Sequence, residues 1–387
     1  MNHPVRADVA RLVPPADAPV GDLVAGMRSL GLKLLASVPA EENVVVSPAS
    51  IALAFAMVEA GAGGSTSADI VRALALPEPP GLHEATNALS ARLADVGGDG
   101  VTLEVANAIW GQVGLPLGAP FLATLAAHHG AGVATVDFAG DAEAARREIN
   151  RWVAGVTRER IPELLPRGTV DADTLVAVVN AVYLDAAWCT PFDVDRTLDL
   201  PFTLSDGTPV DVPTMHNPRL ATHAVVEAGH TAVKLPYEGG ELAMVVVVPP
   251  ATTSTPAAFE ASLTGERLAA VVAGLRPAVV DLTIPRWDIG TALDLAEPLS
   301  ALGLRIPGGD LSGMAPGAII GAAVHAANIT VDEKRTVAAA ATGVVAGRAS
   351  MPPPPLRIAV DRPYLFVVLH EATGAPLFIG RVTDPRA

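Results

Sequence analysis

Nine histidines, one cysteine and one glycine-rich turn are the residues of this 387-residue chain whose types could hold a metal or carry catalysis. The histidines are scattered, and none stands at metal-ligand spacing from another His, Asp or Glu in a local motif. His128 and His129 are adjacent, so on a helix they cannot share one face. Just ahead of Gly130 they suit the negative C-terminal end of a helix dipole. Cys189 beside Trp188 reads as a small buried hydrophobe, and a single cysteine permits no internal disulfide. The run GAGGST (61–66) looks like a phosphate loop, but it follows a helix pattern and lacks the lysine, so it reads as a helix C-cap. The G-x-S-x-G elbow, H-E-x-x-H, Cys pairs and the dinucleotide fingerprint are all missing. The expectation is a protein that is not an enzyme and uses neither metal nor cofactor.

One stretch does stand out. From Asn328 to Leu356 the chain reads NITVDEKRTVAAAATGVVAGRASMPPPPL: an alternating strand, a charged knot, four alanines, a glycine-containing segment and four prolines. Apolar chain then resumes at Ile358 and reads as two strands joined by a glycine turn. A long small-residue segment slung between buried strands is uncommon in a compact domain, and usually functional. Taken alone, the alanine tract also suits a surface helical turn.

The elements around it follow from periodicity. Residues 22–38 carry Leu23, Met27, Leu30, Leu34 and Leu35 at helical spacing. Val44–Val46 form a short strand, Ser47-Pro48 starts a helix, and Ile51 to Ala60 is apolar almost all round, hence central and buried. Residues 82–96 are amphipathic, with His83 and Glu84 on the wet side. VTLEVANAIWGQVG (101–114) alternates in its first half, and 141–161 is a strong helix. DTLVAVVNAVYLDAAW (173–188) is a strand buried on both faces with Asn180 in its middle, where an unpaired amide would cost ~1–3 kcal/mol. Short strands fill 190–300, interrupted by a helix over 259–275, and another short helix covers 293–304. The chain is read as one mixed α+β domain, helices mostly first and strands mostly later.

The totals narrow the partners. Half of the residues are hydrophobic and 17% charged, which supplies a large core; with only 4% aromatic, Val, Leu and Ala must fill it. A net charge of −15 without any basic run argues against nucleic acid, anionic membrane surfaces and polyanionic sugars. No stretch approaches the ~20 apolar residues of a membrane span. The N-terminus lacks a secretory core, so a cytoplasmic protein is expected, with secretion the alternative if the start lies upstream.

Several blocks, in order, resemble the serpin family of serine protease inhibitors over nearly the whole chain. NVVVSPASIALAFAMVEAGAGGST (43–66) resembles its buried helix and approach, and VVNAVYLDAAWCTPFD (178–193) its central-sheet strand. VPTM (212–215), KLPY (234–237), DLSGM (310–314), AVHAANITVDEK (323–334) and PLFIGRVTDP (376–385) match further blocks. A bacterial-type member is expected.

The resemblance implies a serpin fold: a large central β-sheet, two further sheets, eight or nine helices, and an exposed reactive-centre loop at 334–357. It implies a suicide-substrate inhibitor that traps a serine protease as a covalent acyl complex when the cut loop enters the sheet. A non-inhibitory binding or chaperone protein is the alternative. Glu333, Arg335, Thr336, Ala338, Ala339, Ala340, Ala341 and Thr342 match the hinge. In an inserted strand Thr336, Ala338, Ala340, Thr342 and Val344 would face inward, all small and uncharged. Counting from Glu333 puts the reactive bond at Ala349-Ser350, suiting elastase-like or subtilisin-like proteases, or one residue earlier at Arg348-Ala349, suiting trypsin-like ones. Ser47, Ser50, Asn180 and His325 match the polar cluster beneath the opening sheet, with Trp188 at its upper end. Arg286 and Glu333 match positions at the loop's base, where an ion pair is expected. Two departures stand out: Arg335 replaces the usual hinge glycine, and Val337 the usual glutamate. The helix at 82–96 offers only Arg92, so no glycosaminoglycan is expected. A monomer is expected, with loop–sheet polymers as its hazard.

Overall fold

A computed structural model describes residues 4–98, 100–251, 256–333 and 354–386. In chain order the described elements are α1 (Val20–Leu35), β1 (Val44–Val46), α2 (Pro48–Glu59), α3 (Thr66–Leu74), α4 (Gly81–Ala94), β2 (Val101–Gln112), α5 (Ala119–Thr124) running into a π turn (Leu125–His129), β3 (Val133–Val136) and α6 (Phe138–Val156). Then come β4 (Val176–Ala186), β5 (Leu198–Thr203), β6 (Pro209–Glu227), β7 (His230–Pro236), β8 (Leu242–Val248), α7 (Pro256–Ser262), α8 (Gly265–Gly274), β9 (Arg276–Pro285) and β10 (Trp287–Asp294). The last are α9 (Ala296–Ala301), β11 (Ala322–Val331), β12 (Leu356–Ala359), β13 (Tyr364–His370) and β14 (Ala375–Val382).

Two sheets organise these elements. One has five strands in the order β10-β11-β4-β2-β3, with β11 and β4 parallel; the other has nine, running β1-β14-β13-β8-β7-β6-β9-β12 with β5 on β6. The serpin resemblance implied two sheets beyond the central one. Here β6, 19 residues long, runs through both, so they join into one, with its register shifting between Asn217 and Leu220.

Local chemistry explains the helices that matter. Ser47 caps α2 by accepting from the Ser50 N–H, and Pro48 sits in its first turn. All twelve residues of α2 are buried, because it lies between the sheets and packs on β14, β2 and β4. The apolar cluster there is the larger core; a second lies under α6, where Phe138, Ile149 and Val153 cover Ala177, Val179 and Ala181 of β4 and Ala322, Val324 and Ala326 of β11.

Elsewhere tertiary context overrode local pattern. The helix expected over 259–275 is two, because the Thr264 hydroxyl caps a new start by accepting from the Arg267 N–H. β2 stays strand to Gln112, well past its alternating half. His83 is buried rather than wet, its Nε2 2.9 Å from Glu59 Oε2 and its Nδ1 3.3 Å from His129 Nε2. Burial, with His83 alongside, pushes His129 down to about 3, so, against the expected helix-dipole role, it places no charge at the helix end. Cys189 is exposed, against the expectation of a buried thiol. β12 begins at Leu356, so the last two residues of the expected loop already pair with β9.

Gly380 shows how closely the nine-stranded sheet is packed. A Cβ there would lie 2.3 Å from the Phe366 ring and 2.7 Å from the Val44 carbonyl oxygen. Gly380→Ala is expected to lower stability by ~1–3 kcal/mol, seen as a lower urea midpoint. An unchanged midpoint would mean that the Phe366 ring and the Val44 backbone can both give way.

Candidate functional site

The centre of the five-stranded sheet carries a polar rung where its neighbours are Val and Ala. Asn107 of β2, Asn180 of β4 and His325 of β11 are register partners, one per strand. Ser47 and Ser50, at the start of α2, lie beneath them. The Ser47 N–H donates to His325 Nε2 at 3.0 Å, and His325 Nδ1 meets Asn180 Oδ1. The Asn180 amide donates to Ser50 Oγ and Asn107 Oδ1, while the Ser50 hydroxyl donates to Asn107 Oδ1 at 2.7 Å. Asn107 completes the group by donating to the Ser50 carbonyl at 3.2 Å.

These partners fix the imidazole's state. An N–H pointing at Nε2 requires a lone pair there, so the ring is neutral with its proton on Nδ1, donated to Asn180. Complete burial agrees, pushing His325 down to about 3. The rung crosses the β4–β11 seam through this one side-chain contact.

A second group closes the seam's upper end, where β4 and β11 both stop. Trp188 stacks on Tyr237 with centroids 4.5 Å apart, and its indole N–H donates to the Asp332 carbonyl at 2.8 Å. Glu333 is buried; its Oε1 accepts from the Thr197 hydroxyl at 2.7 Å and lies 3.4 Å from Arg286 Nη1. Burial alone would raise this carboxyl, but Thr197 and Arg286 hold it below its ordinary value. Arg286 is half exposed, its backbone held by the Pro213 carbonyl.

Of the site residues read from sequence, Ser47, Ser50, Asn180 and His325 meet in one cluster, and Trp188, Arg286 and Glu333 gather at the seam's end. Arg335, Thr336, Ala338, Ala339, Ala340, Ala341, Thr342, Arg348, Ala349 and Ser350 lie outside the described residues. Asn107 and Thr197 were missed. Asn107 carried the same signal as Asn180, an amide inside a strand pattern. Thr197 carried none, since only the tertiary fold brings it to Glu333. Among the described residues no group of three or more His, Cys, Asp or Glu could hold a metal. No described helix is long and apolar enough to cross a membrane.

Comparison with known proteins puts this geometry in context. The family model described as "Serpin (serine protease inhibitor)" matches residues 25–385. The chain is 35% identical over 357 residues to a leukocyte elastase inhibitor of Bos taurus, covering 89% of this chain and 93% of that one. It is 32% identical over 363 residues to Iripin-2 of Ixodes ricinus, covering 91% of each. Among solved structures, the thermophilic serpin tengpin in its native state superposes with a TM-score of 0.84 at 23% identity, covering 98% of this chain and 97% of that one. These relatives by sequence are animal proteins and give no support to a bacterial-type clade.

A neutral His325 makes the fold acid-sensitive. Its folded pKa, about 3, lies below the ordinary 6.5, so the unfolded chain takes up the proton first. The stability it contributes is whole above pH ~6.5 and falls as pH drops toward ~3, by at most ~1.4 kcal/mol per unit. His325→Gln is expected to remove one proton's worth of that slope in urea unfolding between pH ~6 and ~4. Equal slopes in the two proteins would assign the acid sensitivity to other groups.

Proposed function

The chain belongs to the serpin family, and we propose that it inhibits serine proteases as a one-use trap. The observation that carries this reading is the parallel seam. β4 and β11 run side by side and stop at the same end of the sheet, and the chain leaves β11 there, past Glu333. A segment turning back from that point into the seam would run antiparallel to both neighbours. One parallel pairing would give way to two antiparallel ones, the slightly stronger kind.

The chemistry follows from what the loop offers. The protease serine oxygen attacks the carbonyl carbon of Ala349, the bond to the Ser350 nitrogen breaks, and that nitrogen leaves with a proton as the new amine. The N-terminal part of the loop is then held to the protease by an ester. Freed at its far end, it enters the seam hinge first, with Thr336, Ala338, Ala340, Thr342 and Val344 inward. About 15 residues at ~3.3 Å each carry the protease on the order of 50 Å. New ladder bonds at ~0.5–1.5 kcal/mol each total roughly 10 kcal/mol, released only after the cut. Dragging the protease out of shape strips oxyanion donors, and losing one slows acyl chemistry ~100–1,000-fold, so the ester persists.

Leukocyte elastase inhibitors among the relatives favour Ala349-Ser350 and an elastase-like or subtilisin-like target; Arg348-Ala349 with a trypsin-like target is the second register. The same names weigh against a non-inhibitory binding or chaperone role. Arg335 at the hinge would point outward from the inserted strand, leaving the inward row small. On this reading the working species is a monomer with no catalytic turnover of its own, and loop–sheet polymers are its failure mode.

Incubation with an elastase, a subtilisin and a trypsin tests this. A band that survives boiling in SDS is expected at the summed mass of protease and N-terminal fragment. The released C-terminal peptide should begin at Ser350, or at Ala349 for the trypsin-like register, and cleavage should raise the melting temperature strongly. Clean cleavage without a covalent band or a gain in heat stability would sink the proposal.

A further inference from the structure

Beyond α6 the chain folds back onto its own helix. Asn150 Oδ1 accepts from the Leu164 and Leu165 N–H groups, and Arg146 donates to the Leu165 carbonyl, so helix and tail form one body. Between them Arg158 and Glu159 take left-handed φ angles of 51° and 63°, a conformation that costs residues with a Cβ. The turn aims two guanidinium groups at the outer face of the five-stranded sheet. Arg158 Nη2 lies 3.2 Å from Glu104 Oε1 of β2. Arg160 lies 5.6 Å over the Tyr183 ring of β4 and 3.6 Å from Asp288 Oδ2 of β10.

Those last two contacts lie on opposite sides of the β4–β11 seam. Asp288 is tied to the β11 side, since its Oδ1 accepts from Asn328 at 3.2 Å and Thr330 at 3.0 Å. A strand entering the seam moves the two sides apart by one strand spacing, ~4.8 Å. One guanidinium cannot keep both partners across that widening. The apolar contacts under α6 also span the seam, but they rest on faces made mostly of alanine, over which a helix can slide. A guanidinium fixed between Tyr183 and Asp288 has no such latitude and must let go of one of them.

We propose that Arg160, aimed by the strained turn and gripping Tyr183 and Asp288, is a latch that holds the seam shut and sets how fast a strand enters it. This deepens the reading of the seam as an insertion site, and rests on it. Both charged partners are about half exposed, so the latch is worth only the modest amount of an exposed pair and is screened by salt.

The test uses a synthetic peptide of residues 336–349, TVAAAATGVVAGRA, mixed with the intact uncleaved protein. Uptake is followed by native-gel shift and by the rise in melting temperature. Arg160→Met and Asp288→Asn are each expected to speed uptake about two- to five-fold at low salt. The double variant should be no faster than either single one. About 1 M salt should bring the wild type to the variants' rate. Arg160→Lys, which keeps a cation facing Tyr183 and Asp288, should take up peptide nearer the wild-type rate than Arg160→Met does, and so exclude mere damage to the fold. Wild-type rates in the single variants, or effects that simply add, would overturn the latch while leaving insertion intact. If neither wild type nor variants take up peptide, the insertion reading itself fails and the latch falls with it.

Discussion

One neutral imidazole ties the two sides of the five-stranded sheet together. His325 accepts from the backbone of α2 at Ser47 and faces Asn180 across the seam, so a single ring joins the buried helix, β11 and β4. Nothing else on that rung could do both. A protonated ring would turn an N–H against the Ser47 N–H, and an apolar residue would leave the amide and the helix start without partners, at ~1–3 kcal/mol per orphaned group. The polar rung is well satisfied while the sheet is shut. It becomes costly as soon as Asn180 and His325 separate without a replacement partner. That combination suits a seam that must stay closed and yet open once.

The nine-stranded sheet is built to the opposite specification. β8, β13 and β14 are buried end to end. Arg381 on β14 is itself buried, paired with Glu260 at 2.6 Å and donating to the Val38, Pro39 and Glu42 carbonyls. Taking away either partner there would strand a buried charge, which is far more damaging than losing a surface pair. One sheet is thus fastened by charge and close packing. The other is faced largely with alanine, and beyond its backbone ladder its seam is crossed by one polar rung, an indole and a half-exposed arginine.

Much of this was legible in the chain, and what was not has physical reasons. α2 was readable because an all-round apolar run after Ser-Pro has one sensible fate. Asn180 was readable because an amide inside a buried run demands partners. Asn107, with the same signal, sat in a strand whose apolar alternation fades after its first half, and was passed over. His83 was misplaced because an amphipathic pattern reports one wet face, whereas α4 is covered there by the π turn and by Glu59 at the end of α2. Cys189 follows the buried Trp188 but lies just past the strand, where alternation no longer dictates burial. Thr197 could not be found at all, since its link to Glu333 spans 136 residues. Beyond Glu333, the hinge and the reactive bond rest on register counting, for they fall among residues 334–353.

Which side of the seam moves can be argued from what else holds each one. β10 is fastened to the nine-stranded sheet twice over: Thr291 Oγ1 accepts from the Val45 N–H at 2.9 Å, and the Trp287 indole donates to the Tyr364 hydroxyl at 2.6 Å. β11 is bonded to β10 along eight register pairs and to α2 through His325. That side is part of the rigid body. β4 pairs with β2 over eleven residues and β2 with β3, and α6 rests on this group. Beside the backbone pairing of β4 with β11 and the packing of both β2 and β4 on α2, its polar ties to the rest include the Asn107 and Asn180 contacts, the Trp188–Tyr237 stack and Arg160. An entering strand would therefore displace β4, β2, β3 and α6 together. Arg158, paired within that group, would ride along unchanged, whereas Arg160, reaching across to Asp288, would not. The two arginines of one strained turn thus divide the work: one keeps the moving group whole, and the other holds it back.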